Sequence, residues 1–311
     1  MKEYVLSYYQ NFKCIANECK HTCCTGWDMY IDRDTLSDYK NLTADYSKTL
    51  KSGIDFKKSK FKTNKGRCAF LNSDGLCDII LNLGEQKLCQ ICRDHPRFKV
   101  YYDNVVETGL GFCCEKATEI ILSYQDKITP VLISDDKSEI EPSFIRQEVL
   151  KFRKQALDIV QDRNKDINER IGALLSLCRA SVKAGDFLNI LNRFYSLERL
   201  DKTWGKRLKR AKTQKFSHET TKELSLYCEQ FLANSFYRHL AQAEDTAWAR
   251  AIAIACIFAW WVIKTVYDCE KTESDGFEIV CDIVRDYSGE VEYSVKNLQK
   301  LFSFANKFVK I

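Results

Sequence analysis

The pattern of apolar and polar positions changes along the chain. From about residue 144 onwards, apolar residues recur every three or four positions, which is typical of helices that bury one face. Asp166, followed by Glu169 three residues later, matches the capping-box pattern that begins a helix. We therefore expect an all-helical C-terminal domain, with helices over residues 144–162, 166–183, 186–197, 218–242, 246–268, 276–287 and 291–309.

Before about residue 130 the chain has few long periodic runs. Turn signals such as Asn-Ser-Asp-Gly at 72–75 alternate with cysteines, which predicts an irregular fold. Residues 100–106 have strand-like composition and are expected to form a small hairpin with residues 109–113. The sequence therefore predicts a mainly α protein with an irregular cysteine-rich domain, at most a small hairpin in it, and a helical domain after it. The predicted domains are residues 1–140 and 141–311.

Cysteine is the residue type that changes this picture most. The chain has 15 cysteines, and ten of them fall within its first 114 residues. The N-terminus lacks the basic start and apolar core of a secretory signal, so we expect a cytoplasmic protein with reduced thiols. The later cysteines are interpreted as small apolar core residues. They are Cys178, Cys228, Cys256, Cys269 and Cys281.

The early cysteines are clustered in a way that indicates a metal site. Cys89 and Cys92 form a Cys-x2-Cys unit, in which one tight turn presents two sulfurs to the same centre. Soft thiolates select zinc, copper(I) or iron-sulfur clusters. We favour an iron-sulfur cluster, of the [4Fe-4S] type first, with zinc as the alternative and the number of centres open. The candidate ligands are Cys14, Cys19, Cys23, Cys24, Cys68, Cys77, Cys89, Cys92, Cys113 and Cys114.

Charge and hydropathy exclude two classes of partner. The net charge of +5 depends on two local segments, 47–67 and 199–215, which each carry eight basic residues and one acid. Aromatic residues are not interleaved with them in a known motif, so nucleic-acid binding is not expected. The most apolar stretch, 251–263, has 13 residues, whereas a membrane-spanning helix needs roughly 20. We therefore expect a core helix and no membrane span. The basic segments are either solvated faces or docking sites for an acidic partner.

Three cysteine-containing strings resemble one known family. They are CKHTCCTGW at 19–27, CAFLNSDGLC at 68–77 and LGEQKLCQICRDHPR at 83–97. Their pattern is similar to the flagellin lysine N-methylase family, often called FliB, within a broader group that has a CxxCxxCC-type zinc- or iron-chelating domain. The resemblance is strong over residues 10–120 and weaker in FLANSFYRHL at 231–240. It departs from the expected pattern at YSGEVEY, residues 287–293.

The resemblance implies a function. It implies transfer of methyl groups from S-adenosylmethionine to lysines of flagellin, by an enzyme that holds an iron-sulfur cluster. The donor site cannot be placed, since Gly109-Leu110-Gly111 lacks the third glycine of a dinucleotide-type turn. Acids and aromatic residues near the metal are candidates for acceptor recognition, although each also has an ordinary structural interpretation. These candidates are Trp27, Tyr30, Asp32, Glu85 and Tyr101.

Two hypotheses from other functional classes stay open beside the methyltransferase. In the first, the metal only stabilises an interaction module or chaperone without catalysis, and the helices of residues 144–309 bind a partner. In the second, the vicinal pairs Cys23-Cys24 and Cys113-Cys114 act in a redox or metal sensor. Methyl transfer that depends on Cys89 and Cys92 distinguishes the enzyme from both.

Overall fold

A computed structural model describes residues 1–135, 143–271 and 276–310. The chain forms two compact units. The cysteine unit is Lys13–Arg97, and the helical unit is Met1–Phe12 together with the chain from Phe98 onwards. These units differ from the predicted domains 1–140 and 141–311, because the first strand of the chain pairs with strands that follow the cysteine unit. The predicted boundary at residue 140 lies outside the described residues.

The described residues are mainly helical, as the sequence predicts. The strands are β1 Lys2–Leu6, β2 Ile54–Asp55, β3 Lys60–Phe61, β4 Thr63–Asn64, β5 Arg67–Cys68, β6 Arg97–Tyr102, β7 Val105–Leu110 and β8 Pro130–Asp135. The α-helices are α1 Arg33–Asn41, α2 Ser47–Ser52, α3 Asp78–Leu83, α4 Gln90–Asp94, α5 Glu115–Ser123, α6 Phe144–Val160, α7 Ile167–Leu177, α8 Phe187–Tyr195, α9 Lys202–Ala211, α10 Lys222–His239, α11 Thr246–Glu270, α12 Gly276–Tyr287 and α13 Val295–Asn306. Residues Ser288–Glu292 form a π-helix between the last two.

The helical unit contains a mixed sheet with strand order β6-β7-β1-β8. Strand β1 runs parallel to β7, with Lys2 opposite Val105, and antiparallel to β8, with Leu6 opposite Pro130. The β6-β7 hairpin is present, but its turn falls at residues 103–104, inside the predicted strand 100–106. The expectation of at most a small hairpin is wrong, because β1 and β8 enlarge it. Both are short strands whose partners lie far away in sequence, so no local pattern announces their pairing.

Six of the seven predicted helices are confirmed: α12 with the predicted ends, and α6, α7, α8, α10 and α11 with shifted ends. The capping box is also present, since Asp166 accepts hydrogen bonds from the amides of Asn168 and Glu169 at 2.8 and 3.0 Å. The last predicted helix, 291–309, is shorter, because residues up to Glu292 belong to the π-helix. Helix α9 was not predicted, since only three buried residues, Trp204, Leu208 and Ala211, mark its apolar face.

Helix α11 lies at the centre of the helical unit. Every residue from Ala251 to Val266 is buried. The helix is long and apolar enough to cross a membrane by length and composition alone, but its most apolar stretch is mostly buried inside the protein. Aromatic rings extend this core, for example Phe231, which stacks on Phe112 with 5.3 Å between centroids. The prediction of a core helix is confirmed.

The later cysteines belong to this core, as predicted. Cys178, Cys228, Cys256 and Cys281 are buried. Cys269 is partly buried and donates a hydrogen bond to the carbonyl of Thr265 at 3.1 Å. They therefore pack as small apolar side chains.

The cysteine unit has an apolar core of its own. Met29, Leu50 and Phe61 are nearly inaccessible to solvent, and Phe61 contacts Phe70 edge to face with 5.0 Å between ring centroids. Two short ladders, β2-β3 and β4-β5, and the short helices α1 to α4 surround this core. The unit is thus rich in turns, as predicted, while side-chain packing holds it together as well.

Candidate functional site

Short elements of the cysteine unit place four cysteines at or near their ends. Cys68 ends β5, and its amide donates to the carbonyl of Cys24 at 2.9 Å. Cys77 precedes α3, while Cys89 precedes α4 and Cys92 lies in the first turn of that helix. Cys-x2-Cys at a helix start directs both sulfurs to one side, which is the arrangement expected for metal ligands.

Two pairs of thiols interact directly. A hydrogen bond from Cys23 lowers the pKa of Cys24 to about 7, and the positive charge of Arg67 acts in the same direction. In the second pair, the hydrogen bond with Cys92 lowers the pKa of Cys89 and raises that of Cys92. Each pair thus has one sulfur that favours the thiolate form, which is the form that binds metals.

The thiols also influence one another across the unit. Burial raises the pKa of Cys68 to about 11, and the charges of Cys24, Cys77 and Cys89 raise it further. Burial likewise raises the pKa of Cys77, with Cys24 again contributing, and Cys24 also acts on Cys92. These five sulfurs therefore lie within electrostatic range of one another, as a polythiolate site requires.

The ligand set of a single centre is nevertheless not closed. In residues 1–135, 143–271 and 276–310, no three His, Cys, Asp or Glu side chains are grouped tightly enough to hold one metal ion. Cys14 is exposed, and its sulfur accepts a hydrogen bond from the amide of Ala16. Cys113 and Cys114 belong to the helical unit. The thiol ligands, and the position of Cys68, Cys77 and Cys92 within electrostatic range of Cys24, fit a thiolate-bound metal. The sulfurs of the described residues are not arranged in the coordination geometry of a metal ion.

Two of the predicted acceptor-binding residues make structural contacts in the cysteine unit. The indole nitrogen of Trp27 donates to the carbonyl of Cys23 at 2.7 Å. The carboxylate of Asp32 accepts from the amide of Thr35 at 2.9 Å, which caps α1, and from the amide of Gln90 at 2.8 Å, at the start of α4. Asp32 thus joins the first helix to the one that carries Cys92.

The other three candidates are exposed. Tyr30 forms an isolated bridge with Lys60, and Glu85 lies in a short 3-10 turn of the cysteine unit. Tyr101 lies on β6 in the helical unit. Four of the five predicted residues thus lie in the cysteine unit, where Trp27 and Asp32 contact different segments, and Tyr101 lies in the helical unit.

Replacing Asp32 with alanine tests whether this carboxylate is structural. The substitution removes one helix cap and one hydrogen bond, and we expect the free energy of unfolding to fall by about 1–3 kcal/mol. Methyl transfer per folded molecule should be unchanged. Urea unfolding and a methyl-transfer assay measure the two effects. Unchanged stability together with lost activity would instead assign Asp32 to the chemistry.

A second cluster of polar side chains lies where the parallel strands β1 and β7 end. The hydroxyl of Tyr8 donates to the side chain of Asn234 and accepts from the amide of Leu110 at 3.2 Å. Asn234 returns a hydrogen bond to the carbonyl of Leu110 at 3.2 Å. Gly109 is required for packing, because a side chain there would collide with the ring of Phe98. Gly109 therefore serves the packing of the sheet.

Glu292 is the centre of a buried charge cluster beside these strand ends. Its carboxylate accepts from Arg238 at 3.1 Å and from Ser288, and it lies 3.3 Å from the ring nitrogen of His239. Burial alone raises the pKa of Glu292, but Arg238, His239 and Ser288 lower it to about 2. Burial lowers the pKa of His239, so this ring is neutral at pH 7. The cluster is therefore an ion pair of Glu292 and Arg238.

Tyr293 connects this cluster to the protein surface. The guanidinium of Arg238 lies 4.7 Å from the centre of the Tyr293 ring. The hydroxyl of Tyr293 lies beside Cys113, whose pKa is raised to about 12 by burial. Tyr293 is 47% exposed. Its hydroxyl end is thus close to a buried thiol, and part of its side chain is open to solvent.

In the sequence, the segments 231–240 and 287–293 show only a weak likeness to the family. Arg238 and His239 end the apolar run FLANSFYRHL, and Glu292 lies beside the buried Val291. The available signal was the presence of charged residues within apolar segments, because charges are buried only when they are paired. Which charges pair was not visible, since Arg238 and Glu292 are 54 positions apart.

Comparisons with known proteins agree with the cysteine motifs. The chain is 26% identical over 156 residues to proteins named lysine-N-methylase from Salmonella choleraesuis (strain SC-B67) and Salmonella typhimurium (strain LT2). That match covers 46% of this chain and 38% of each of those proteins. It is also 26% identical over 159 residues to the flagellar biosynthetic protein FliU of Salmonella muenchen, a match that covers 47% of this chain and 92% of FliU.

No model of a protein family and no solved structure matches the chain. The evidence of relationship therefore comes from the sequence relatives, and the matched part spans well under half the length of the lysine-N-methylases. Together with the cysteine motifs, these matches show that the chain is similar to proteins named lysine-N-methylase and to FliU.

Proposed function

We propose that the chain is a cytoplasmic protein-lysine N-methyltransferase that uses S-adenosylmethionine and acts on flagellin. The similarity to proteins named lysine-N-methylase is the observation that carries this proposal. The similarity to a flagellar biosynthetic protein supports a flagellar substrate. The cysteine motifs at 19–27, 68–77 and 83–97 resemble the same family.

The reaction is a displacement at the methyl carbon of a sulfonium. The neutral lysine amine forms a bond to that carbon while the carbon-sulfur bond breaks, and the electron pair stays on sulfur. The product is a methylated ammonium, which releases one proton to water, and a neutral thioether. The protein must therefore hold the amine without its proton, align it with the methyl group and exclude water.

A metal centre held by the cysteine unit is part of the proposal. Cys24, Cys68, Cys77, Cys89 and Cys92 are the favoured ligands, because their sulfurs lie within electrostatic range of one another. A [4Fe-4S] cluster is the first choice and zinc is the alternative. When bound, such a centre cross-links the segments that carry its ligands, and an iron without a thiolate ligand adds a Lewis-acid site.

Transfer of label from methyl-labelled S-adenosylmethionine to purified flagellin tests the function. The full chain is purified without oxygen, and labelled residues are identified by mass spectrometry. We expect methylated lysines, and no label in flagellin whose lysines have been acetylated beforehand. Flagellin that binds the protein but gains no methyl group would exclude the enzyme and favour an interaction module.

The second candidate is such a metal-stabilised interaction module without catalysis, and one observation favours it. Strand β8 is at one end of the sheet order, and all of its residues are exposed. They include Val131, Leu132 and Ile133, which are 45–54% exposed. An exposed apolar strand at a sheet edge can pair with an extended segment of another protein.

A further inference from the structure

Buried ion pairs of arginine and glutamate recur in the helical unit, and they differ in what else the arginine contacts. Glu107 binds Arg153, and Glu229 binds Arg170; in both pairs each side chain is at most 10% exposed. These pairs join elements inside the core. The pair of Glu292 and Arg238 is equally buried, yet Arg238 contacts the half-exposed Tyr293. This ion pair therefore reaches the surface through an aromatic ring, as the more exposed pair of Arg199 and Glu290 does through Tyr195.

The π-helix Ser288–Glu292 explains why Tyr293 is so firmly placed. The side chains of its two acids, Glu290 and Glu292, are both 1% exposed, although residues two positions apart on an α-helix face different directions. Glu290 accepts hydrogen bonds from the amides of Leu200 and Asp201 at 2.9 and 2.8 Å. The π-helix is thus fixed by the contacts of Glu290 with Leu200 and Asp201 and by the contact of Glu292 with Arg238. Short π-helices occur frequently at functional sites.

We propose that the ring of Tyr293 forms a wall of the binding site for the acceptor lysine. This inference depends on the proposed function and names where its substrate side chain lies. Tyrosine presents an apolar face to the lysine methylenes, while its hydroxyl lies beside Cys113. Because Tyr293 lies at the surface, a lysine that belongs to a folded protein can reach it.

Arg238 gives this surface a chemical property that methyl transfer needs. Its guanidinium is 4.7 Å from the ring centre, and Glu292 holds it in place. Glu292 compensates the charge of Arg238, but the guanidinium is the member of the pair that contacts the ring. Because a positive charge disfavours a second one nearby, a lysine on this ring binds better as the neutral amine. The neutral amine is the nucleophile of the reaction. Arg238 and Glu292 are therefore positioning residues that act through Tyr293.

The position in the fold supports the same assignment. Cys113, which lies beside the hydroxyl of Tyr293, follows β7 by three residues. Strand β7 runs parallel to β1, so the carboxyl ends of both strands lie on the same side of the sheet. Ligands bind preferentially outside the carboxyl ends of parallel strands.

The test compares two leucine variants of the full chain in binding and in catalysis. Tyr293→Leu removes the proposed wall. Tyr195→Leu is the matched control, because Tyr195 is 41% exposed and also contacts a cation, with Lys212 3.8 Å from its ring centre. We expect Tyr293→Leu to raise both the Kd and the KM for flagellin about tenfold, with the Tyr195 variant unchanged. Tyr293→Phe keeps the ring and should bind like the wild type.

Each outcome decides the inference separately from the proposed function. Equal Kd values for Tyr293→Leu and Tyr195→Leu overturn the acceptor wall even if methyl transfer persists. If the wild type binds flagellin but transfers no methyl group, the proposed function fails, and the Kd comparison still decides whether Tyr293 contacts the partner. Absence of flagellin binding by the wild type overturns the inference. Should the leucine variant unfold, Tyr293→Lys, which adds a repelling charge at the same surface, is expected to show the same loss of binding.

Discussion

Replacing Glu292 with alanine is expected to lower the free energy of unfolding by about 3–5 kcal/mol. The carboxylate is buried and compensates the charge of Arg238, whose side chain is 11% exposed. Removing it leaves an unpaired guanidinium in the core and takes a hydrogen-bond acceptor from Ser288. The loss is measured by urea unfolding at pH 7, where the wild-type ion pair is intact.

Glu198→Ala is the control for this substitution. Glu198 also pairs with a cation, Lys296 at 3.0 Å, but both side chains are about half exposed. Exposed ion pairs contribute about 0–1 kcal/mol, so the control should be nearly as stable as the wild type. Equal stability of the two variants would contradict the view that Glu292 holds the cluster together.

The same ion pair predicts how stability depends on pH. The pKa of Glu292 is about 2 in the folded protein against a usual value of 4.5, so its contribution is present above pH 4.5 and is lost as the pH falls towards 2. His239 has a lowered pKa, so its contribution is lost as the pH falls below 6.5. Arg238 stays charged throughout and faces both groups. Acid unfolding of the wild type should therefore be steeper between pH 4.5 and 2 than that of Glu292→Ala.

Replacing Cys89 and Cys92 together with alanine is expected to abolish metal binding. The wild type purified without oxygen should contain about four irons and four sulfides per chain if a [4Fe-4S] cluster is present. Two of the favoured ligands are lost in the variant, and four thiolates are needed. We expect iron and sulfide to fall below about a tenth of the wild-type content, and methyl transfer to be lost with them.

The control replaces two core cysteines, Cys178 and Cys256, with alanine. Both are buried in the helical unit and lie outside the favoured ligand set. This variant should keep its metal and its activity, with a modest loss of stability. Unchanged metal content after the loss of Cys89 and Cys92 would contradict the ligand assignment, and zinc without sulfide would replace the cluster by a structural zinc site.

The parts of the fold that the sequence predicted are those with long periodic signals. Helices α6 and α10 bury faces of several turns, and α11 is apolar over most of its length, so their patterns are strong. The clustering of cysteines was equally visible, because thiol spacing is a property of the sequence itself. Which thiols come within electrostatic range, and that Trp27 and Asp32 make structural contacts, needed the structure.

The remaining features arise from contacts between distant positions. The pairing of β1 with β7 joins Lys2 to Val105, and no local pattern identifies such a partner. The buried ion pair of Arg238 and Glu292 cannot be recognised from the sequence for the same reason. Arginine and glutamate are residue types that usually lie at the surface. The role proposed for Tyr293 in acceptor binding likewise depends on its neighbours Arg238 and Cys113, which are distant in sequence.

The parallel pairing of β1 with β7 also has a consequence for the order of folding. The first strand is synthesised before the whole cysteine unit, yet it completes its pairing only with residues from Val105 onwards and Pro130 onwards. Closing a loop of this length costs chain entropy that grows with the number of free residues. If the cysteine unit has already folded, or has been cross-linked by metal, fewer residues between β1 and β7 are free to move. We therefore expect metal supply during synthesis to speed the folding of the helical unit, a unit that contributes none of the five favoured ligands.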